Sequence, residues 1–148
     1  KPEVAPKLKF KEAKMKKLNV GLIGAGFMGK AHSLAYVAMP MFFWPAPAIP
    51  VRKTIVDVSD SIAAEAAQRF GFEKSTSDWR SVVEDPEIDI IDIATPNHLH
   101  AEIAIAAAAA GKHIISEKPL ARNGDEAVGR NGIHFGVFRL DVVFYCRC

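Results

Sequence analysis

Cysteine, net charge and long uninterrupted apolar runs are all scarce in this chain of 148 residues. The two cysteines, Cys146 and Cys148, stand at the very end, where two thiols supply at most half of a metal site. A net charge of +2 is too small to indicate a nucleic-acid partner. The N-terminal residues lack the continuous apolar core of a signal peptide. These absences lead us to expect a cytoplasmic protein of single-domain size that holds no metal.

One uncharged segment has the composition of a membrane span without its continuity. Residues 35–51 read AYVAMPMFFWPAPAIPV. The segment is interrupted by Pro40, Pro45, Pro47 and Pro50. Each proline removes a backbone donor that hydrocarbon cannot replace, and a span needs about 20 residues of continuous helix. We therefore expect an apolar loop and no membrane partner.

Apolar and helix-forming stretches alternate along the chain. Short apolar or β-branched runs predict strands at 18–23, 51–57, 88–94 and 113–117, with an extended piece near 72–75. Helix formers predict helices at 27–38, at 60–70, from about 78, and at 98–110. Strands joined through helices form βαβ units, so the predicted fold class is α/β, with a doubly wound parallel sheet covered on both faces.

Local signals mark the ends of two predicted helices. Ser59 or Asp60 is expected to cap the helix at 60–70, and Gly71 is expected to follow its last residue. Ser77 could cap the short helix that begins near residue 78.

A glycine-rich turn follows the first predicted strand and precedes the first predicted helix. It consists of Gly24, Ala25, Gly26, Phe27, Met28 and Gly29. Its three glycines fit the pattern G-x-G-x-x-G: the first permits a tight turn, the second lets the backbone approach a pyrophosphate, and the third lets the helix pack closely on the strand. Unpaired N–H groups and the helix dipole favour an anion at this position. The turn therefore predicts a dinucleotide-binding site.

An acidic residue, Asp57, ends the second predicted strand, where a carboxylate can bind the hydroxyls of an adenosine ribose. Asp57 lies farther from Gly29 than the usual interval of about 20 residues, because the proline-rich segment is inserted between them. A carboxylate here repels a 2′-phosphate, so we predict NAD, with NADP less favoured. The alternative, that Asp57 only caps the turn into the next helix, stays open.

The stretch ATPNHLH, residues 94–100, follows another predicted strand. Pro96 stops that strand, so a crevice forms at the carboxyl end of the sheet. Asn97 and His100 could hydrogen-bond a ribose or the nicotinamide amide; alternatively, Asn97 only caps the next helix and the imidazoles are solvated. His98 and His100 are two residues apart and diverge on a helix, which argues against a two-histidine metal site.

The sequence SEKP, residues 116–119, ends the last predicted strand. A parallel strand brings Glu117 and Lys118 to the same edge of the sheet as the glycine turn. Partial desolvation and a neighbouring cationic nicotinamide would both lower the pKa of a lysine at this position and so favour the neutral amine that a general base needs. The negative charge of Glu117 would oppose this effect. The alternative is a surface ion pair worth about 0–1 kcal/mol. Spacing alone does not decide between the two.

Together, these stretches resemble the Gfo/Idh/MocA family of NAD(P)-dependent oxidoreductases, which includes glucose-fructose oxidoreductase, inositol dehydrogenases and sugar dehydrogenases. The similarity is carried by GLIGAGFMGKAH and by DIATPNHLHAEIAIAAAAAGKHIISEKPLA, and it runs from about residue 17 to residue 126. The block ending in EKP is highly specific. The resemblance implies a Rossmann NAD(P)-binding fold and hydride transfer between a sugar or inositol carbinol and nicotinamide.

The same resemblance implies roles for individual residues. The glycine turn would hold the pyrophosphate, Asp57 would bind the adenosine ribose and Glu117 would hold the nicotinamide ribose. The cofactor cleft would be lined by Thr95, Pro96, Asn97 and His100. Lys118 matches the family's catalytic lysine, which assists proton removal from the substrate.

Beyond about residue 128 the chain departs from the family pattern. Where family members have a long helix, this chain has Gly124, Gly129 and Gly132. Each glycine costs about 1 kcal/mol relative to alanine in a helix. We expect a basic extension at 1–16, a dinucleotide-binding domain at 17–128, and an irregular or strand-like tail at 129–148 in place of the family's substrate domain.

The family's substrate domain also carries a histidine that is the acid–base partner of the lysine. No histidine of this chain can be matched to it among His32, His113 and His134. Two hypotheses of different classes therefore stand: a truncated oxidoreductase with little or no turnover, and a non-catalytic NAD-binding or self-associating module. A third hypothesis, a methyltransferase that binds its nucleotide through the same glycines, would leave SEKP without a role. Apolar surface left uncovered predicts a homo-oligomer, joined through the strand-like tail as an added or exchanged edge.

Overall fold

The computed structural model describes residues 15–119 and the backbone of residues 143–145. The strands are β1 Lys16–Ile23, β2 Ala48–Val56, β3 Lys74–Thr76, β4 Ile90–Ile93, β5 His113–Ser116 and β6 Val143–Tyr145. The helices are α1 Phe27–Phe42, α2 Asp60–Phe70, α3 Trp79–Glu84 and α4 His100–Ala109, with a 3-10 turn at Asn97–Leu99. None of the helices in this part of the chain combines the length and the apolar character that crossing a membrane requires.

The strands form one sheet in the order β3-β2-β1-β4-β5-β6. Strands β1 to β5 are parallel to their neighbours, and β6 pairs antiparallel with β5. The order reverses between β1 and β4, which creates the crevice where open α/β sheets bind ligands. The predicted doubly wound parallel α/β fold is confirmed. Of the tail, only residues 143–145 lie within the described part of the chain, and there they form a strand.

Both faces of the sheet are buried, and side chains that alternate along each strand contribute to the apolar cluster on one face or the other. Leu22 and Ile55 point into one apolar cluster, which they share with Phe72. Their neighbours Ile23 and Val56 belong to the cluster on the other face. This burial on two sides explains why the strands read as continuous apolar runs in the sequence.

Helix α2 has the bounds and caps that the sequence predicts. The hydroxyl of Ser59 accepts a hydrogen bond from the backbone N–H of Ile62 at 3.3 Å, and Gly71 adopts the left-handed conformation with φ 72°. The prediction for α3 is wrong by one residue. That helix begins at Trp79, so Asp78 caps it instead of Ser77 by accepting from the N–H of Arg80 at 3.0 Å.

The apolar segment is largely regular structure, contrary to the prediction of a loop. Helix α1 continues through Pro40 to Phe42, because proline keeps a helical φ and near a helix end removes only one backbone bond. Strand β2 begins at Ala48 and includes Pro50. Proline is tolerated there because β3 pairs with β2 only from Thr54 onward, which leaves Pro50 at an edge of the sheet.

Candidate functional site

Four parallel strands end at the same level and form one rim. The register pairs Ile23 with both Val56 and Ile93, and it pairs Ile93 with Ser116. Backbone hydrogen bonds continue one residue further, from the N–H groups of Gly24, Ala94 and Glu117. The loops that carry the glycine turn, Asp57, Thr95 and SEKP therefore leave the sheet side by side, and Lys118 follows directly on the rim.

The three glycines of the turn occupy different environments. Gly24 has φ 104°, and a Cβ added there would lie 2.5 Å from the carbonyl oxygen of Ala94. A Cβ on Gly29 would overlap the carbonyl oxygen of Gly24, which shows that α1 packs against the turn itself. A Cβ on Gly26 would meet nothing within 4 Å. Two glycines thus serve the fold, and the third leaves backbone open to a ligand.

Helix α1 presents an uncapped N-terminus at the same place. It begins at Phe27, and within the described residues no side chain caps it and no acidic residue stands in its first turn. The first N–H groups of a helix have no partner inside the helix, and the dipole gives this end about half a positive charge. Phe27 and Met28 therefore offer backbone donors to an anion.

Asp57 ties the end of β2 to the glycine turn. Its Oδ2 accepts a hydrogen bond from the N–H of Ala25 at 2.8 Å, and its Oδ1 accepts from the N–H of Val58 at 2.7 Å. The second bond is the turn-capping role that the sequence left open. Each carboxylate oxygen can accept a further hydrogen bond, so ribose hydroxyls could be bound at the same time.

A groove of about 440 Å³ opens above this end of the sheet. It is lined by the glycine turn, by Asp57 and Pro96, and by residues that the sequence did not predict to contact a ligand, namely Val58, Ser77, Trp79, Leu99 and Ile103. The guanidinium of Arg80 lies 4.2 Å from the centre of the Trp79 ring and packs over it. A mostly apolar slot beside a polar turn suits a flat heterocycle.

Thr95 contributes a polar atom to the wall of the groove. Its Oγ1 is buried and has no hydrogen-bond partner within the described residues. Buried hydroxyls are almost always hydrogen-bonded, so an orphaned one on a groove wall fits a site that a polar ligand completes.

The predicted ligand contact of His100 and the predicted helix cap at Asn97 need correction. Asn97 is exposed and begins the 3-10 turn, while α4 starts three residues later without a side-chain cap. His100 is fully buried: its Nε2 lies 2.7 Å from the carbonyl oxygen of Thr95, and its Nδ1 lies 2.8 Å from that of Pro119. It is neither solvated nor left with a free ring nitrogen for a ribose, and it joins two loops of the rim. Of the two histidines in this stretch, His98 is the exposed one, as the alternative of solvated imidazoles predicts for it.

Below the rim lies a group of four polar side chains, here called the His32 cluster, whose mutual contacts the sequence did not predict. His32 on α1 places Nδ1 2.9 Å from Oδ2 of Asp92 on β4, and Nε2 2.9 Å from Oε1 of Glu117. The hydroxyl of Tyr36 donates to Oδ2 of Asp92 at 2.5 Å. An acidic residue inside the apolar strand IIDI was the available signal, because a buried carboxylate requires partners.

The cluster perturbs the protonation of two of its members. The hydrogen bond to Asp92, together with a smaller effect of Glu117, raises the pKa of His32 to about 9 against the opposing effect of burial. Burial, followed by the charge of Asp92, raises the pKa of Tyr36 above its ordinary value. At neutral pH the cluster therefore holds an imidazolium between two carboxylates.

Lys118 is exposed beside this cluster. Within residues 15–119 the partner of Glu117 is His32, and no ion pair joins Glu117 to Lys118. The simple surface pair that the sequence allowed is thus absent from the described contacts. That part of the chain also contains no group of three or more side chains arranged to bind a metal.

Comparisons with known proteins agree with this geometry. The family GFO_IDH_MocA, described as an oxidoreductase family with an NAD-binding Rossmann fold, matches residues 18–129. Levoglucosan dehydrogenase of Pseudarthrobacter phenanthrenivorans is 76% identical over 113 residues, which are 76% of this chain and 29% of that protein. Myo-inositol 2-dehydrogenase of Thermotoga maritima is 30% identical over 108 residues, 72% of this chain and 29% of that protein.

Solved structures give the same result. A levoglucosan dehydrogenase in complex with NADH and levoglucosan superposes with a TM-score of 0.75 at 76% identity, covering 76% of this chain and 30% of that one. GenD2 from gentamicin A biosynthesis, in complex with NAD, superposes with a TM-score of 0.65 at 28% identity, covering 76% of this chain and 30% of that one. The chain thus spans about 30% of the length of the relatives it matches.

Proposed function

Because this chain belongs to the Gfo/Idh/MocA family of oxidoreductases, we propose that its rim binds NAD for hydride transfer between nicotinamide and a sugar or polyol carbinol. The observation that carries the proposal is the common level of four strand ends, which brings the glycine turn, Asp57 and the pair Glu117–Lys118 to one edge. Ligands of open α/β sheets bind at this edge.

The residues of the rim fit the parts of a dinucleotide in order. The open backbone at Gly26 and the first N–H groups of α1 suit the pyrophosphate, and the Asp57 carboxylate suits the adenosine ribose. The apolar slot beside Trp79 suits the adenine. Asp57 disfavours the 2′-phosphate of NADP, so NAD is the preferred cofactor.

No cation of β2 offsets the effect of Asp57. The guanidinium of Arg52 donates to the carbonyl oxygen of Phe70, and Lys53 pairs with Glu73 at 2.9 Å. Both basic residues lie in the middle of β2, and both of these contacts are made away from the glycine turn. The preference for NAD therefore depends on a carboxylate that no neighbouring basic residue of its own strand neutralises.

Lys118 is the proposed catalytic residue. When bound, oxidised NAD supplies the hydride acceptor. The amine of Lys118 would accept the hydroxyl proton of the carbinol while the hydride passes to that acceptor, so that the alcohol becomes a carbonyl. Levoglucosan is the first substrate to test, because levoglucosan dehydrogenase is 76% identical to this chain over the matched residues. Inositols and aldoses are the next candidates.

The alternative function is a non-catalytic NAD-binding or self-associating module. It is favoured by the exposure of Lys118. The proposed organisation remains an extension at 1–16, a dinucleotide-binding domain at 17–128 and a tail at 129–148. Binding of NADH without turnover of any sugar or polyol would favour the module.

Titration with NADH tests the cofactor proposal directly. Trp79 lies on the groove wall and Trp44 is 76% exposed away from it, so a Trp44→Phe variant makes Trp79 the reporter of binding. We expect saturable quenching of Trp79 emission by NADH, and much weaker quenching by NADPH. The absence of saturable binding of either nucleotide would remove both cofactor hypotheses.

Self-association is proposed through an apolar surface on α1 and the loop after it. Large exposed apolar side chains gather there: Leu34, Val37, Met41, Phe42, Phe43 and Trp44. A second copy presents the same surface and can cover it by twofold symmetry. We expect a homodimer in light scattering at micromolar concentration and a monomer for Met41→Glu. A monodisperse wild-type monomer at that concentration would count against self-association. The predicted involvement of the tail lies largely outside the described residues.

A further inference from the structure

The proposed function makes no use of His32, although both ring nitrogens of this histidine contact carboxylates just below the rim. Its ring lies between two carboxylates that come from different strands, Asp92 on β4 and Glu117 just after β5. The side chain of Asp92 is completely buried, and that of Glu117 is 16% exposed. Burying charged groups costs free energy even when each has a partner, and apolar side chains of similar size would fill the same space without that cost. Packing alone therefore does not explain this arrangement.

The geometry fixes the direction of each hydrogen bond. Both ring nitrogens of His32 face carboxylate oxygens, which only accept, so both nitrogens donate. Asp92 is held from a second side by the hydroxyl of Tyr36. The buried end of the cluster is thereby fixed, and the ring can set the position of the remaining carboxylate at the surface.

That remaining carboxylate belongs to Glu117, which stands directly before Lys118. Its Oε1 accepts from His32, which leaves Oε2 with acceptor capacity. Without His32, the nearest cation along the chain to the Glu117 carboxylate would be Lys118, the next residue.

Resting on the proposed function, we infer that His32 is a positioning residue that holds the Glu117 carboxylate on the rim to accept a ribose hydroxyl of the bound dinucleotide, and that keeps it from pairing with Lys118. His32 itself touches neither the dinucleotide nor the substrate in this arrangement. Its effect on binding passes through Glu117.

A cycle of variants tests this dependence. NADH affinity is measured for the wild type, His32→Gln, Glu117→Ala and the double variant. Glutamine donates to only one of the two carboxylates, so we expect His32→Gln to weaken NADH binding roughly tenfold, the equivalent of one hydrogen bond to a charged group. In the Glu117→Ala background the same substitution should have no further effect. Independent, multiplicative effects would overturn the inference.

Matched variants separate positioning from stability. His113→Gln makes the same change at an exposed histidine at the other end of β5, and it should leave NADH affinity unchanged. Tyr36→Phe removes a partner of Asp92 without touching Glu117, so it should lower the melting temperature but not the affinity. A Tyr36→Phe loss of affinity equal to that of His32→Gln would mean that the cluster acts only through general stability.

Where His32→Gln fails to fold because Asp92 is left unpaired, the double variant Asp92→Asn with His32→Gln replaces it, since no buried charge then lacks a partner. The same tenfold loss is expected there, and wild-type affinity in that variant would overturn the inference. Failure of the wild type to bind NADH would instead overturn the proposed function, so the two failures are distinguishable.

The pH profile of NADH binding gives a readout that a packing role would not change. The titratable groups facing His32 are Asp92 from β4, Glu117 from the end of β5 and Tyr36 from α1. Loss of the His32 proton near pH 9 removes the donor to Glu117, so wild-type affinity should fall there. His32→Gln should lack that step. Parallel profiles for the two proteins between pH 7 and pH 10 would contradict the inference.

Discussion

Replacing Gly26 by alanine should separate binding of the dinucleotide from stability of the fold. Gly26 is the residue before α1, with φ −66° and ψ −158°, and a Cβ added there meets no atom within 4 Å. The protein therefore has room for the methyl group. Alanine is somewhat poorer than glycine at the start of a helix, which limits the expected loss of stability to less than about 1 kcal/mol.

In the proposed complex, by contrast, the pyrophosphate would need the space that this methyl group fills. Moving it away from the turn sacrifices one or two hydrogen bonds to a charged group, each worth about 1.5–3 kcal/mol. We therefore expect Gly26→Ala to weaken NADH binding at least tenfold, since about 1.4 kcal/mol corresponds to a factor of ten. The measurement is the quenching of Trp79 fluorescence in the Trp44→Phe background.

Gly29→Ala is the matched comparison, because it makes the same chemical change three residues away. Its Cβ would overlap the carbonyl oxygen of Gly24, so α1 would have to shift from the sheet at a cost of about 1–3 kcal/mol. Urea unfolding should therefore show a clear loss of stability for Gly29→Ala and little for Gly26→Ala. Unchanged NADH affinity in a folded Gly26→Ala protein would refute the placement of the pyrophosphate at this turn.

Three further predictions concern single side chains. His32 has a folded-state pKa of about 9 against 6.5 for the free side chain, so its contribution to stability, on the order of 2 kcal/mol, is complete below about pH 6.5 and is lost as pH rises through 9. Urea unfolding at pH 6, 8 and 10 should show this decline in the wild type and not in His32→Gln, and a wild-type stability that increases over this range would contradict it. Asp57→Ala should weaken NADH binding while reducing the preference for NADH over NADPH, as measured by parallel titrations; a retained preference would mean that another group rejects the 2′-phosphate. Lys118→Ala should leave NADH affinity within about twofold and abolish any NADH formation from levoglucosan or an inositol, and a variant that keeps its turnover would exclude Lys118 as the base.

The sequence alone determined the features whose causes lie within a few residues. Alternating apolar runs and helix formers predicted the parallel α/β sheet, and Ser59 and Gly71 marked the ends of α2 through local capping chemistry. The glycine turn and Asp57 could likewise be identified, because backbone freedom at a turn and a carboxylate at a strand end are properties of short segments.

Only the tertiary structure decided the arrangements that join distant segments. The N-terminal half of the chain gives no sign that His32 meets Glu117, since the two lie 85 positions apart and come together only in the folded chain, where the side chain of His32 reaches from α1 to Asp92 on β4 and to Glu117 after β5. His100 was misjudged because burial and two carbonyl partners, not its place in the motif, determine what it can bind. Pro40 lies near the end of α1, and Pro50 lies where β2 forms an edge of the sheet. Proline is tolerated at both positions, but a local sequence pattern does not define where a helix ends or which part of a strand is at an edge.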